Sequence, residues 1–93
     1  MKPQKLLVVQ FKTEWSGACQ ILQPLYEELA KHYGGVVEFF YVDADADTHL
    51  LTQYGIKEFP TILFFKNEKI IDQAKGLVSR NKLIAKIENA LMD

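Results

Sequence analysis

Cys19 is the only cysteine in the sequence, and it closes a short turn, Trp15-Ser16-Gly17-Ala18-Cys19. In dithiol exchange a thiolate at a helix N-terminus attacks a disulfide, and a second thiol three residues on resolves the mixed disulfide. Three residues before Cys19 stands Ser16 rather than a second thiol, so the sequence holds no cysteine pair for that cycle. A serine hydroxyl has far too high a pKa to replace the attacking thiolate, and oxygen forms no bond to sulfur that exchange could readily reverse. Any disulfide made by Cys19 must therefore be intermolecular.

Ser16 reads first as a helix N-cap, with its hydroxyl accepting an amide of the first turn, since no histidine lies close in sequence to act as its base. For Cys19 two readings stay open: a half-buried small apolar residue, or a monothiol that forms mixed disulfides or glutathione adducts. His32 and His49 lack partners at metal-ligand spacing. Asp43, Asp45 and Asp47 open like a calcium loop, but Thr48 stands where glycine is needed and Tyr54 where the bidentate glutamate belongs. No metal and no cofactor is expected, and the aspartates read as turn and helix cap.

The chain that must hold this turn has 93 residues, 48% hydrophobic and 25% charged, enough for one small core and a single domain over residues 1–93. Eleven basic against twelve acidic residues give a net charge of −1. Without a basic face, neither nucleic acid nor an anionic membrane is an expected partner. Lys2 precedes a short apolar run, Leu6 to Val9, which Gln10 and Lys12 interrupt before a secretory or membrane-spanning segment is complete. With a lone cysteine, this suggests a reducing, cytoplasmic setting.

Periodicity supplies the elements. Lys5 to Phe11 is short, β-branched and apolar on both faces, as a buried central strand is. After the turn from Thr13 to Gly17, the residues Ala18, Ile21, Leu22, Leu25, Leu29 and Tyr33 recur at helical spacing, with Pro24 inside and Gly34-Gly35 ending the helix. Val36 to Val42 reads as a second strand, with Val37, Phe39 and Tyr41 on one face. Asp47 is placed to cap a short helix that runs to Tyr54 and stops at Gly55. Thr61 to Lys66 and Lys69 to Gln73 read as a hairpin about Asn67-Glu68. Ser79 caps a last helix carrying Leu83, Ile84, Ile87 and Leu91 on one face. The order is βαβαββα.

From Leu7 to Leu25 this pattern resembles thioredoxins: an apolar strand, a tryptophan, a four-residue turn ending in cysteine, and a helix with an internal proline. Tyr54-Gly55-Ile56, Phe59-Pro60-Thr61 and the run Ile62-Leu63-Phe64-Phe65 resemble the family's cis-proline segment, and Gly76 matches the glycine beside its substrate groove. The resemblance extends from about Leu6 to Leu91. It implies an α/β fold with a four-stranded mixed sheet flanked by three helices, in the order second, first, third, fourth strand. It also implies a cis bond before Pro60 and a shallow groove formed by Trp15, Gly17, Ala18, Phe59, Pro60 and Gly76, where an extended peptide can bind.

Three departures bear on function. The C-x-x-C of the family is S-x-x-C here. Gln10 stands in place of the buried aspartate that assists proton transfer, and Tyr41 in place of a nearby lysine. The chain also starts with the central strand, without the family's extra N-terminal strand and helix, which leaves Val36 to Val42 as an uncovered edge. These features lead to a monothiol thioredoxin-like protein whose partners are protein or peptide thiols and disulfides, with glutathione as a candidate. A dithiol oxidoreductase in which serine has replaced the attacking cysteine, and a non-redox interaction module, are the alternatives. A dimer through residues 36–42 or through Cys19 would be compatible with them.

Overall fold

The computed structural model describes residues 5–92, so Lys2 lies outside the described residues. The elements follow in the order β1 (Leu6–Lys12), α1 (Gly17–His32), β2 (Val37–Asp43), α2 (Thr48–Tyr54), β3 (Thr61–Lys66), β4 (Lys69–Lys75) and α3 (Arg80–Met92). They build one sheet in the order β2-β1-β3-β4. β1 pairs in parallel with β2 and antiparallel with β3, and β4 pairs antiparallel with β3. Being central, β1 has little contact with water on either face, which is why its run of Leu, Val and Phe needs no alternation.

The two faces of β1 are served by different helices. Leu6 and Val8 join Ile62 and Phe64 of β3 in one cluster with Leu22, Tyr26 and Leu29 of α1 and Leu83, Ile87 and Ala90 of α3. Burying each of these larger side chains stabilises by roughly 1.5–3 kcal/mol. On the opposite face Phe11 packs against Tyr54 of α2, which also meets Phe65 edge-on. Tyr26 is the central strut. Its ring packs against Phe39 and Tyr41 of β2, and its hydroxyl lies within donating distance of the carbonyls of both Val8 (3.0 Å) and Phe40 (2.7 Å).

Three details differ from the sequence reading. Ile21 is 66% exposed, whereas Cys19, Leu22, Tyr26, Leu29 and Tyr33 are buried. Those positions advance by three or four residues and so share one face, and Ile21, one step before Leu22, points about 100° away. Asp47 occupies the N-cap position of α2 but makes no side-chain cap hydrogen bond. Residue type had suggested the cap, while the turn instead uses Asp43, whose Oδ1 accepts the Asp45 amide at 2.9 Å. β4 also continues two residues past Gln73, to Lys75. The other stops are as the chemistry requires: Gly55 ends α2 in the left-handed region (φ 66°), and Ser79 Oγ accepts the Lys82 amide at the start of α3.

Candidate functional site

β1 and β2 run in parallel and both end, at Lys12 and Asp43, beside the start of α1. The carboxyl ends of parallel strands, facing a helix N-terminus, are where an α/β sheet leaves room for a ligand. The chain turns there through Thr13 to Ser16. Thr13 Oγ1 donates to Asp45 Oδ2 (3.0 Å), tying this turn to the one that follows β2. Gln20 Nε2 donates to the Glu14 carbonyl at 3.2 Å, tying the turn to α1.

Ser16 is the N-cap of α1. Its backbone is extended (φ −98°, ψ 120°) and its Oγ accepts the Cys19 amide at 3.2 Å. The hydroxyl thus satisfies one of the amide donors that a helix N-terminus leaves unpaired. Cys19 is 4% exposed, one turn inside the helix, and its thiol forms no disulfide. It is not sealed off. A cleft of about 310 Å³ is lined by Cys19 together with Lys12, Thr13, Glu14, Gln20, Gln23 and Asp43. Sequence reasoning missed Lys12, Gln20 and Gln23. Lys12 was readable from its place at the last position of the central strand, two residues beyond Gln10 and hence on the same face.

The other residues expected to form a groove come from three segments, residues 15–18, 59–60 and 76. The Phe59–Pro60 peptide bond is cis, and Thr61 pairs with Phe11, so Pro60 lies next to the end of β1 from which the turn through Thr13 to Ser16 departs. The Gly76 amide donates to the Pro60 carbonyl at 2.7 Å, bringing the end of β4 alongside. Gly76 has φ +75°, a left-handed conformation that favours glycine. Trp15 is 84% exposed and is therefore no core aromatic. Phe59 and Ala18 are half-buried, Pro60 is buried and Gly17 is open. His32 stacks edge-on against Tyr33 at the far end of α1, and His49 is exposed on α2, so neither reaches Ser16.

Beneath α1 the sheet carries an unusual group. Gln10 is 0% exposed, and neither its Nε2 nor its Oε1 has a hydrogen-bond partner among the described residues. A buried carboxamide without partners costs about 1–3 kcal/mol and supplies no titratable acid. The neighbouring strand brings Tyr41, whose hydroxyl accepts from Gln23 Nε2 at 2.8 Å and whose ring lies under the Lys12 ammonium, 4.3 Å from the centroid. Burial raises the Tyr41 hydroxyl above its usual range, the hydrogen bond from Gln23 opposes the shift and the Glu27 charge adds to it. Burial, followed by the proximity of Tyr41, raises the Tyr26 hydroxyl much further. Both phenols are neutral at physiological pH, and the carboxyl side chains near Cys19 are those of Glu14 and Asp43, which line its cleft.

Likeness to known proteins agrees with this geometry. The family model described as Thioredoxin matches residues 1–89. A thioredoxin of Chlorobaculum thiosulfatiphilum is 34% identical over 84 residues, 90% of this chain and 78% of that protein. The chloroplastic M-type thioredoxin of Pisum sativum is 37% identical over 82 residues, 88% of this chain but 48% of its own length. The chain thus spans about half the length of that plant relative. Among solved structures, malaria-parasite thioredoxin-2, described as a component of that parasite's protein secretion machinery, superposes with a TM-score of 0.88 at 29% identity. The match covers 96% of this chain and 86% of that one. The family model spans nearly the whole chain and a thioredoxin above 30% identity is covered over most of its length, so the chain belongs to that family: the thioredoxins.

Proposed function

We propose that this chain is a degenerate, monothiol member of the family that binds extended peptide or thiol partners and forms at most one intermolecular mixed disulfide, within thiol-disulfide redox homeostasis. The observation that supports this most directly is the Ser16 hydroxyl accepting the Cys19 amide. The residue in the attacking position serves as a helix cap, and the sulfur sits one turn further in. In the step available to it, the Cys19 thiolate attacks one sulfur of a partner disulfide. The new S–S bond forms as the old one breaks, and the other partner sulfur leaves as a thiolate. With serine at 16 no internal thiol can displace the adduct, so it persists until an external thiol attacks it.

The groove of Trp15, Gly17, Ala18, Phe59, Pro60 and Gly76 would hold a partner backbone in extended form. Cys19 would be approached through the cleft lined by Lys12, Glu14 and Asp43, the route by which a small thiol such as glutathione would reach it. A reducing compartment, the cytoplasm, is part of the same proposal.

Two measurements test it. Insulin-disulfide reduction in the presence of a reductase should stay at background; turnover by the unmodified chain would defeat the monothiol reading. Mass spectrometry after exposure to oxidised glutathione should show one adduct, on Cys19. If no adduct forms, the redox half fails, and a pull-down comparing Cys19→Ser with the parent chain then reports whether groove partners remain.

A further inference from the structure

Among the described residues the sheet ends on two edge strands, β2 and β4, and they are built differently. β4 places Lys69, Asp72 and Lys75 along its length, and its register with β3 shifts between Phe64 and Phe65. Charges and a bulge are the usual means of blunting an edge against pairing. β2 has neither device between Val37 and Val42 except Glu38, whose carboxylate bonds to Lys5 Nζ of the neighbouring segment at 3.3 Å. Its register with β1 runs unbroken from Val37 to Asp43. Val36, Phe40 and Tyr41 are all exposed along it.

Above this edge, between β2 and α1, lies a groove of about 390 Å³ lined by Tyr26, Glu27, Ala30, Lys31, Phe39 and Tyr41. Its floor is aromatic, and its helical wall carries one acid and one base four residues apart. That wall is self-complementary. A two-fold axis perpendicular to the sheet, passing midway between Glu27 and Lys31, would set each against the opposite charge of a second copy.

The same axis suits the strand. Tyr26 reaches the Phe40 carbonyl and Gln23 reaches Tyr41, so α1 runs antiparallel to β2 and position 26 is level with position 40. The midpoint at position 29 is three helical residues further on, about 4.5 Å, which corresponds to between one and two strand residues. It therefore falls near Phe39. An axis there sets Phe39 against Phe39 of the partner subunit, Val37 against Tyr41 of the partner subunit, and Glu38 against Phe40 of the partner subunit. No like charges are opposed, and the two α1 helices lie side by side over one continued sheet. We infer that the β2 edge and the α1–β2 groove form a self-association surface whose occupant is a second copy of this chain, paired antiparallel through β2. Such a contact is closed by its own symmetry.

The test is sedimentation equilibrium of the 93-residue chain in reductant, at micromolar to millimolar concentration, with circular dichroism to show that each variant is folded. A reversible dimer is expected. Glu27→Lys places two lysines opposite Lys31 residues and should weaken it roughly tenfold or more, as should Lys31→Glu, and the double swap Glu27→Lys/Lys31→Glu should return it to within about threefold of the parent. Both residues are exposed, so folding is not at stake. A monomer throughout, or a dimer that disappears in reductant, or single charge reversals without effect, would each overturn the inference. A dimer weakened by the singles but not recovered by the swap would overturn it as well, because the axis is placed by the Glu27–Lys31 opposition.

Discussion

Ser16 and Gln10 each make a separable prediction. Ser16 contributes a cap: its Oγ accepts the Cys19 amide, and Ser16→Ala removes that acceptor while leaving the amide where it is. Stability should fall by about 1 kcal/mol, read as a lower urea midpoint at unchanged slope. A loss near zero would mean that water satisfies the amide equally well and that the hydroxyl is free for another role. Gln10 acts in the opposite direction. Both of its amide atoms are buried without a partner among the described residues, so replacing the side chain with an apolar one of similar length removes a desolvation cost and keeps the volume. Gln10→Met is expected to stabilise by about 1–2 kcal/mol in the same titration. A destabilised variant would show that the carboxamide is bonded in solution, through water in the space beneath α1.

At the scale of elements, the hairpin carries the clearest local conflict. Asn67 and Glu68 connect β3 to β4 with φ of 57° and 65°, both left-handed. A two-residue turn of this kind matches the twist of its strands, and asparagine tolerates the first position, but glutamate has no such excuse at the second. Glu68→Gly should therefore stabilise by about 0.5–1 kcal/mol despite glycine's greater freedom in the unfolded chain, measured by thermal or urea unfolding. The turn itself was legible in the sequence because two apolar runs flanked a polar pair. Most other boundaries were legible for similar reasons, as local signals: Gly55 after a helix, Ser79 before one, and apolar residues three and four apart in α1. What the sequence did not reveal were the tertiary choices. Ile21 and Leu22 are both apolar, and only the position of the sheet decides which one is buried. Tyr26 reads as an ordinary aromatic until β1 and β2 bring two carbonyls to its hydroxyl. Lys12, Gln20 and Gln23 meet around Cys19 because a strand end and a helix face converge there, a convergence that no single stretch of sequence records.

At the scale of the whole molecule, α1 and α3 cover the same face of the sheet, and their alignment depends on polar ties at both levels of the helix pair. Arg80 pairs with Glu28 on the exposed side. Tyr33, at the end of α1, donates its hydroxyl to Glu88 Oε2 of α3 at 2.6 Å. That hydrogen bond is the main reason why the Tyr33 pKa is pushed from 10.0 up to about 12, with burial and the negative charge of Glu88 adding to it. Because the folded state holds the proton more tightly than the unfolded chain, the stabilisation is fully present below pH 10 and is lost as pH rises through about 12. Tyr26 and Tyr41 shift in the same direction, so alkaline unfolding should begin where free phenols ionise and steepen above it. Glu88→Gln separates the tie from the general effect of burial. The amide still accepts the hydrogen bond but carries no charge, so Tyr33 should ionise at lower pH in a spectrophotometric titration. The decline of the urea midpoint between pH 10 and 12 should become shallower than in the parent. If the two pH profiles coincide, the charge on Glu88 does not reach Tyr33, and the alkaline weakness belongs to Tyr26 and Tyr41 under α1 alone.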